Sequence, residues 1–313
     1  VFNHIIGHEK HKENIISSIK RGMFSHAHIF SGEDGIGKSL LARATALMLM
    51  GKEEDKPYAD IIEYRVEKDK KSIGVEQIRG LIEEINKKPF EGDKKVVILY
   101  EGDKLTEQAQ NTLLKTIEEP PAGVFIIILC ENTEALLDTI KSRCQIHKLQ
   151  YLTVAEIEEF LCAKYAALPK DKVELLSAFS GGVPGKAQRL IEDKTFQDIR
   201  EGALLVLKLA AYGEEGHGEQ LEKFFNKYKN SWEEIFDWTT SFIRDVMIYK
   251  EIGKEALLLN RDKYTDIKAI SDRFSFSKLN GIIEMISDTR IKLYRNVNPA
   301  LTFDRLLWKL QEL

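Results

Sequence analysis

The stretch Ala27-His28-Ile29-Phe30-Ser31-Gly32-Glu33-Asp34-Gly35-Ile36-Gly37-Lys38-Ser39 decides the fold. Its opening residues, Ala27 to Ser31, have the length and apolar content of a strand. Gly32 to Ser39 satisfy G-x-x-x-x-G-K-[ST], and an apolar helical stretch follows from Leu40 to Met50. Strand, glycine-rich turn and helix in that order are the context of a phosphate-binding loop. The glycines let successive N–H groups turn inward around a phosphate, so Gly32, Gly35, Ile36 and Gly37 are candidate cradle residues. Lys38 can neutralise the outer phosphates, and the Ser39 hydroxyl can ligate magnesium. The plain alternative is an ordinary glycine-rich turn between strand and helix.

Outward from this loop, apolar runs of strand length recur at Ile61-Ile62, Val96 to Tyr100 and Val124 to Cys130. Between them, Val75, Ile78, Leu81, Ile82 and Ile85 repeat at helical spacing, as do Leu113, Leu114 and Ile117 before Pro120-Pro121 stops that helix. Ile15, Ile16 and Ile19 mark a helix ahead of the first strand. Alternation of this kind predicts an α/β fold with a parallel sheet. After Leu149 the strand signal fades. Thr153-Val154-Ala155-Glu156 reads as a capping box, Ser180 to Gly185 as a glycine-rich turn, and everything from Phe196 as helix. That region includes Ser231-Trp232-Glu233-Glu234, a second expected capping box, and a Leu306, Leu307, Leu310 stripe. The pattern places domain boundaries so that residues 1–150 form a nucleotide-binding domain, 151–193 a small helical domain and 194–313 an all-helical domain.

Composition agrees with packed, multidomain globular structure: 313 residues, 43% hydrophobic and 31% charged, at ~150 residues per domain. The formal charge of -4, from 46 basic and 50 acidic residues, supplies no global positive field for nucleic acid or an anionic membrane. Lys87-Lys88 and Lys94-Lys95 read as solvated surface, and no residue is nominated for DNA contact. Cys130, Cys144 and Cys162 lack C-x-x-C spacing, which argues against a disulfide scaffold or a zinc knuckle and favours a reducing cytoplasm. The longest apolar run, Val124 to Cys130, is far short of the roughly 20 residues a membrane helix needs, and no signal-peptide pattern is seen. Neither membrane insertion nor export is expected.

A phosphate-loop hydrolase needs a second strand that ends in an acidic magnesium ligand. Here the strand ends Leu99-Tyr100-Glu101-Gly102-Asp103, with Tyr100 where the carboxylate belongs. A phenol is not the hard carboxylate ligand magnesium favours. Glu101 is the candidate that could compensate, with Asp103 beside it. Both can equally be solvated carboxylates at a strand end.

Several further segments resemble the bacterial AAA+ clamp-loader family of DNA polymerase III, over nearly the whole chain. They are Phe2-Asn3-His4-Ile5-Ile6-Gly7, Ser25-His26-Ala27, and Ser72-Ile73-Gly74-Val75-Glu76-Gln77-Ile78-Arg79. More specific are Asn111-Thr112-Leu113-Leu114-Lys115-Thr116-Ile117-Glu118-Glu119-Pro120-Pro121 and the S-R-C motif Ser142-Arg143-Cys144. Asn296-Val297-Asn298, Leu301 and Leu306-Leu307 resemble the family's last helices.

The resemblance implies a RecA-like AAA+ domain, a helical lid and a helical collar. It implies a pentameric ring with motor subunits and a delta subunit, which places a sliding clamp on primed DNA. It also implies ATP, with magnesium, at subunit boundaries, and Arg143 as a trans-acting arginine finger for a neighbour's ATP. Guanidinium suits that role, since it is permanently charged and forked. Such a subunit is a component of the polymerase holoenzyme without a polymerase site of its own.

The sequence departs from the family at three places. Tyr100 replaces the magnesium aspartate, Gly185 stands where the lid's sensor arginine is expected, with Lys186 beside it, and Gly51 to Asp60 lacks the four cysteines of a zinc module. The expectation is therefore a stator that binds ATP, hydrolyses it weakly or not at all alone, and holds no zinc. The alternatives are an autonomous phosphate-loop ATPase or phosphotransferase, and a scaffold with a vestigial loop.

Overall fold

Ala27–Ser31, Ile61–Tyr64, Lys95–Leu99, Val124–Cys130 and Gln145–Lys148 form strands β1 to β5 of one sheet, ordered β2-β3-β4-β1-β5. All pairings are parallel; Ile29 of β1 lies opposite Ile128 of β4 and Ile146 of β5. This is the RecA-like AAA+ sheet that the resemblance implied. The computed structural model describes residues 1–68, 70–213, 217–295 and 297–311. Asn296 of the C-terminal motif lies outside the described residues.

The strands β1, β3 and β4 are buried along almost their whole length and are mostly apolar because both faces of the sheet are covered. Val97, Leu99, Ile126 and Ile128 pack with Ile78, Leu81 and Ile85 of the helix Val75–Asn86 and with Ala109, Leu113 and Ile117 of the helix Glu107–Glu118. The helix Lys38–Leu49, which follows the phosphate loop, packs across β1, β3 and β4. Thr106 caps the helix Glu107–Glu118 by accepting from Ala109 N at 3.2 Å. The capping box expected at Thr153 is present: Thr153 N donates to Glu156 Oε2 at 2.7 Å, and Glu156 N donates to Thr153 Oγ1 at 3.3 Å.

The chain divides into two compact units, residues 1–168 with 179–187, and residues 169–178 with 188–313. Among the described residues the regular elements of the second unit are all helices, with long ones at Lys194–Tyr212, Trp232–Ile252 and Phe276–Tyr294. Phe225 and Phe303 stack at its centre, 4.6 Å between ring centroids, and Leu306, Leu307 and Leu310 are buried as the stripe predicted. Its fully buried Asp245 is satisfied by Leu259 N, Asn260 N, Asn260 Nδ2 and Arg244 Nη1 at 2.7 to 3.1 Å.

Two expectations are corrected, and one strand is added. Ser231 precedes its helix, but its side chain makes no cap bond: its ψ of 27° is outside the extended range a cap needs, and its N–H is spent on Tyr228 O at 2.9 Å. Lys95 is not solvated surface. It is 2% exposed, and its ammonium donates to Glu84 O at 2.8 Å and Lys87 O at 2.5 Å. The edge strand β5 was not anticipated, because its alternation buries just His147 and leaves Gln145, Ile146 and Lys148 exposed.

That one buried residue links β5 to β1. His28 Nε2 donates to Ser25 O at 2.9 Å, which leaves Nδ1 to accept from His147 Nε2 at 2.9 Å. Burial, then the neighbouring His147, brings the His28 pKa down to about 3 from 6.5. Burial, then His11, brings His147 down to about 4 from 6.5. Both imidazoles are thus neutral in the fold but take up protons near pH 6.5 when unfolded. Their contribution is complete above about pH 6.5 and is lost progressively as pH falls toward 4 and 3. The urea midpoint is expected to fall between pH 7 and pH 5, and His147→Gln to flatten that dependence. A wild-type midpoint unchanged over this window would contradict the assignment.

Candidate nucleotide site

The loop Gly32 to Gly37 leaves the carboxyl end of β1, with Gly32 N donating to Cys130 O of β4 at 3.2 Å. Gly32, Gly35 and Gly37 have φ values of 150°, 82° and 111°, open to glycine and strained for other residues. Space is as limiting as torsion. A Cβ on Gly32 would lie 3.0 Å from Leu149 O, and one on Gly35 would lie 3.0 Å from Gly185 Cα. Ile36 is buried, with its N–H on Glu33 O at 3.1 Å.

These constraints aim the first turn of the helix Lys38–Leu49 outward. Its N-cap is Gly37, with no side-chain cap, and among the described residues the amides of Gly37, Lys38 and Ser39 have no acceptor. A helix start with unspent donors and positive dipole is an anion site. Lys38 Nζ curls onto Gly32 O at 2.6 Å and Glu33 O at 2.9 Å, filling its donors with the oxygens of its own loop. Ser39 is exposed at the same end. These residues fit a phosphate chain, whose oxygens would replace the loop carbonyls on Lys38.

The magnesium half does not fit in the same way. The ring of Tyr100 is buried, its hydroxyl donates to Glu63 Oε2 at 3.2 Å, and the Arg65 guanidinium lies 3.3 Å from the ring centroid. Burial, reinforced by Glu63, pushes the phenol pKa up, so it stays a neutral donor. Glu101 has a left-handed φ of 54°; its carboxylate accepts from Val66 N at 3.3 Å and from Lys104 Nζ at 2.5 Å. Those two bonds hold its pKa below the ordinary range, the Lys104 bond most strongly.

The anions that act on Lys38 are others. Burial lowers its pKa, opposed first by Glu131 and then by Asp34, with Asp103 also contributing. Asp103 Oδ1 accepts from Glu131 N at 3.1 Å, fixing the ends of β3 and β4 to each other. Glu131 was missed in the sequence, where its signal was its place directly after the apolar run of β4.

Three further residues hold the loop. His8, with a left-handed φ of 57°, bonds Ile36 O through Nε2 at 2.9 Å. Gly185 N donates to Gly35 O at 2.9 Å, so the helix Pro184–Glu192 starts directly on the phosphate loop. Tyr151 adds a bond to Glu33 Oε2 at 2.6 Å.

Arg143 stands apart from these contacts. It follows the short helix Asp138–Lys141 and bonds Glu118, Thr139 and Ser142. The loop before that helix is braced by Gln110, also missed in the sequence. Its Nε2 donates to Leu105 O at 3.2 Å and Ala135 O at 3.0 Å, and its Oε1 accepts from Leu137 N at 2.8 Å. Cys130 and Cys144 are unreactive thiols whose pKa values burial pushes up to about 12. Among the described residues no helix is long and apolar enough to cross a membrane.

The Gly35–Gly185 contact has a measurable consequence. A Cβ on Gly185 would lie 2.6 Å from Gly35 Cα and 3.0 Å from Gly35 O, both backbone atoms that cannot swing aside. Gly185→Ala is expected to cost about 1–3 kcal/mol in urea denaturation. Gly74→Ala, with nothing within 4 Å of the added methyl, serves as the control and should cost less. Equal costs would contradict this packing.

The sequence matches the family described as DNA polymerase III, delta subunit, over residues 7–153, and its C-terminal family, DNA polymerase III, delta subunit, C terminal, over residues 199–312. It is 28% identical to DNA polymerase III subunit delta′ of Bacillus subtilis, covering 95% of this chain and 94% of that protein. It is 30% identical to the delta′ subunit of Yersinia pestis, over 78% of this chain and 72% of that one. It is 25% identical to DNA polymerase III subunit tau of Bacillus subtilis, over 97% of this chain and 60% of tau. With its AAA+ sheet, phosphate loop and helical C-terminal region, the chain belongs to the delta′ family of DNA polymerase III clamp-loader subunits.

Proposed function

We propose that the chain is the stator of a clamp loader: it binds ATP without effective hydrolysis and lends Arg143 to the ATP site of a neighbouring motor subunit. In this reading Gly37, Lys38 and Ser39 donate to the phosphates, while Gly32, Gly35 and Ile36 shape the loop around them, the amides of Gly32 and Ile36 being spent on Cys130 O and Glu33 O. Bound magnesium would supply charge neutralisation between phosphate oxygens, and Ser39 is the side chain that would meet it. Glu101, spent on Val66 and Lys104, is its weakest contributor.

The observation that carries the reading is Tyr100. A buried phenol bonded to Glu63 and covered by Arg65 stands at the strand end where the magnesium carboxylate is expected, while the phosphate loop keeps the amides of Gly37, Lys38 and Ser39 unspent. Binding and cleavage have different requirements, and this combination supports the first alone. Residues 1–150 act as the AAA+ domain, 151–193 as the lid and 194–313 as the collar that joins the other subunits in a pentameric ring. In that ring, in the cytoplasm, clamp and primed DNA are handled by the assembly, with no direct DNA contact assigned to this chain.

A second reading, an autonomous phosphate-loop ATPase or phosphotransferase, is favoured by one feature: Glu131, Asp34 and Asp103 surround Lys38 electrostatically. Such an enzyme would hold magnesium through Glu101, drive transfer with Lys38 and need no companion. The trans reading instead places the consequence of Arg143 in another subunit. In a complex reconstituted from motor subunits, delta subunit and this chain, Arg143→Ala should leave assembly intact. The site that Arg143 serves should lose roughly 10³-fold or more, as one arginine finger elsewhere contributes 10³ to 10⁵, and the DNA-stimulated ATPase of the complex should fall by that site's share while the other sites of the ring continue. An unchanged rate would overturn the role.

A further inference from the structure

Glu118 is the last residue of the helix Glu107–Glu118, where the negative end of the helix dipole disfavours a carboxylate. What it meets there is Arg143, with Nε 2.5 Å from Glu118 Oε1. Nη1 of the same guanidinium donates to Thr139 O at 2.9 Å and to Ser142 Oγ at 3.2 Å. Among the described residues Nη2 has no hydrogen-bond partner, and the side chains of Arg143 and Glu118 are 40% and 43% exposed.

The guanidinium is therefore held on two of its nitrogens by two separate elements. Glu118 comes from the helix before β4, Thr139 from the short helix after it. A planar fork pinned at two points has its plane defined, and the hydrogens of its third nitrogen remain unspent. A half-exposed ion pair adds little stability, so its physical consequence is orientation.

We propose that Glu118 is the positioning residue of Arg143, fixing the guanidinium so that Nη2 is presented to an anionic phosphate oxygen of a nucleotide on a neighbouring subunit. This rests on the trans reading of Arg143 and adds a residue to it. Glu118 does not touch the nucleotide; its effect passes wholly through the arginine. The opposite role, a partner that sequesters Arg143 until released, predicts the reverse sign on removal.

The test uses the reconstituted complex with clamp and primed DNA, measuring kcat and KM for ATP with Arg143→Ala, Glu118→Ala, Glu118→Gln and the Glu118→Ala/Arg143→Ala pair. Co-purification and thermal unfolding of each variant establish that fold and assembly are retained. Glu118→Ala should lower turnover at the served site about tenfold, read as a fall in the complex's kcat that approaches that of Arg143→Ala, with KM little changed, because a misaimed donor loses transition-state contact. Glu118→Gln keeps an acceptor oxygen at the same reach and should restore most of that loss. The double variant should be no slower than Arg143→Ala alone, as residues acting through one group are non-additive. If Arg143→Ala lowers the rate while Glu118→Ala matches or exceeds wild type, or the two losses add, the positioning role is overturned and the trans reading stands. If Arg143→Ala itself changes nothing, the trans reading fails and the positioning role falls with it.

Discussion

Directly after β1 the chain turns through left-handed backbone angles in tight quarters, and the site is built on that constraint. Gly32 passes Leu149 O, Gly35 lies on Gly185, and each takes a backbone angle that other residues reach with strain. Because the loop can fold this tightly, the helix Lys38–Leu49 begins with Gly37, Lys38 and Ser39 amides unspent, and Lys38 can turn back over its own carbonyls. His8 and the start of the helix Pro184–Glu192 then hold the loop through the carbonyls of Ile36 and Gly35. The donors are organised before any phosphate arrives, which lowers the ordering cost of binding.

Tyr100 separates that phosphate half from the metal half. Its hydroxyl and ring are both occupied, by Glu63 and Arg65, so it is a structural side chain and not a vacancy in the site. Lys38 keeps anionic neighbours in Glu131, Asp34 and Asp103, which oppose the effect of its burial and favour the ammonium form. A charged lysine suits binding. Cleavage further requires a carboxylate that holds magnesium against the phosphates, which a neutral phenol does not supply. The proposed function follows from this asymmetry: nucleotide held here is a structural element, and the chemistry to which the chain contributes takes place where Arg143 meets a neighbour.

Legibility in the sequence tracked burial. The strands β1 and β4 could be read to their end residues, because strands covered on both faces are largely apolar and these two are ended by Gly32 and Glu131. The strand β5 could not, since an edge strand with His147 alone facing inward has no hydrophobic period. Lys95 misled for a related reason: its ammonium is satisfied by Glu84 and Lys87 carbonyls, contacts that exist only after the chain turns back. At the site, the loop was legible because its glycines, lysine and serine are contiguous. Glu131, Gln110 and Gly185 act across long sequence separations, and their partners emerge only in three dimensions. Arg143 carries no local signal that distinguishes it from any surface arginine. Its candidacy came from the family motif, and its pairing with Glu118 from the structure.

The central claim is that this chain holds triphosphate without cleaving it, and steady-state phosphate release by the purified chain, alone with ATP and magnesium, tests it most directly. The account predicts turnover indistinguishable from a protein-free control. Sustained turnover that is abolished by Lys38→Ala, and so belongs to this phosphate loop and not to a contaminant, would contradict it.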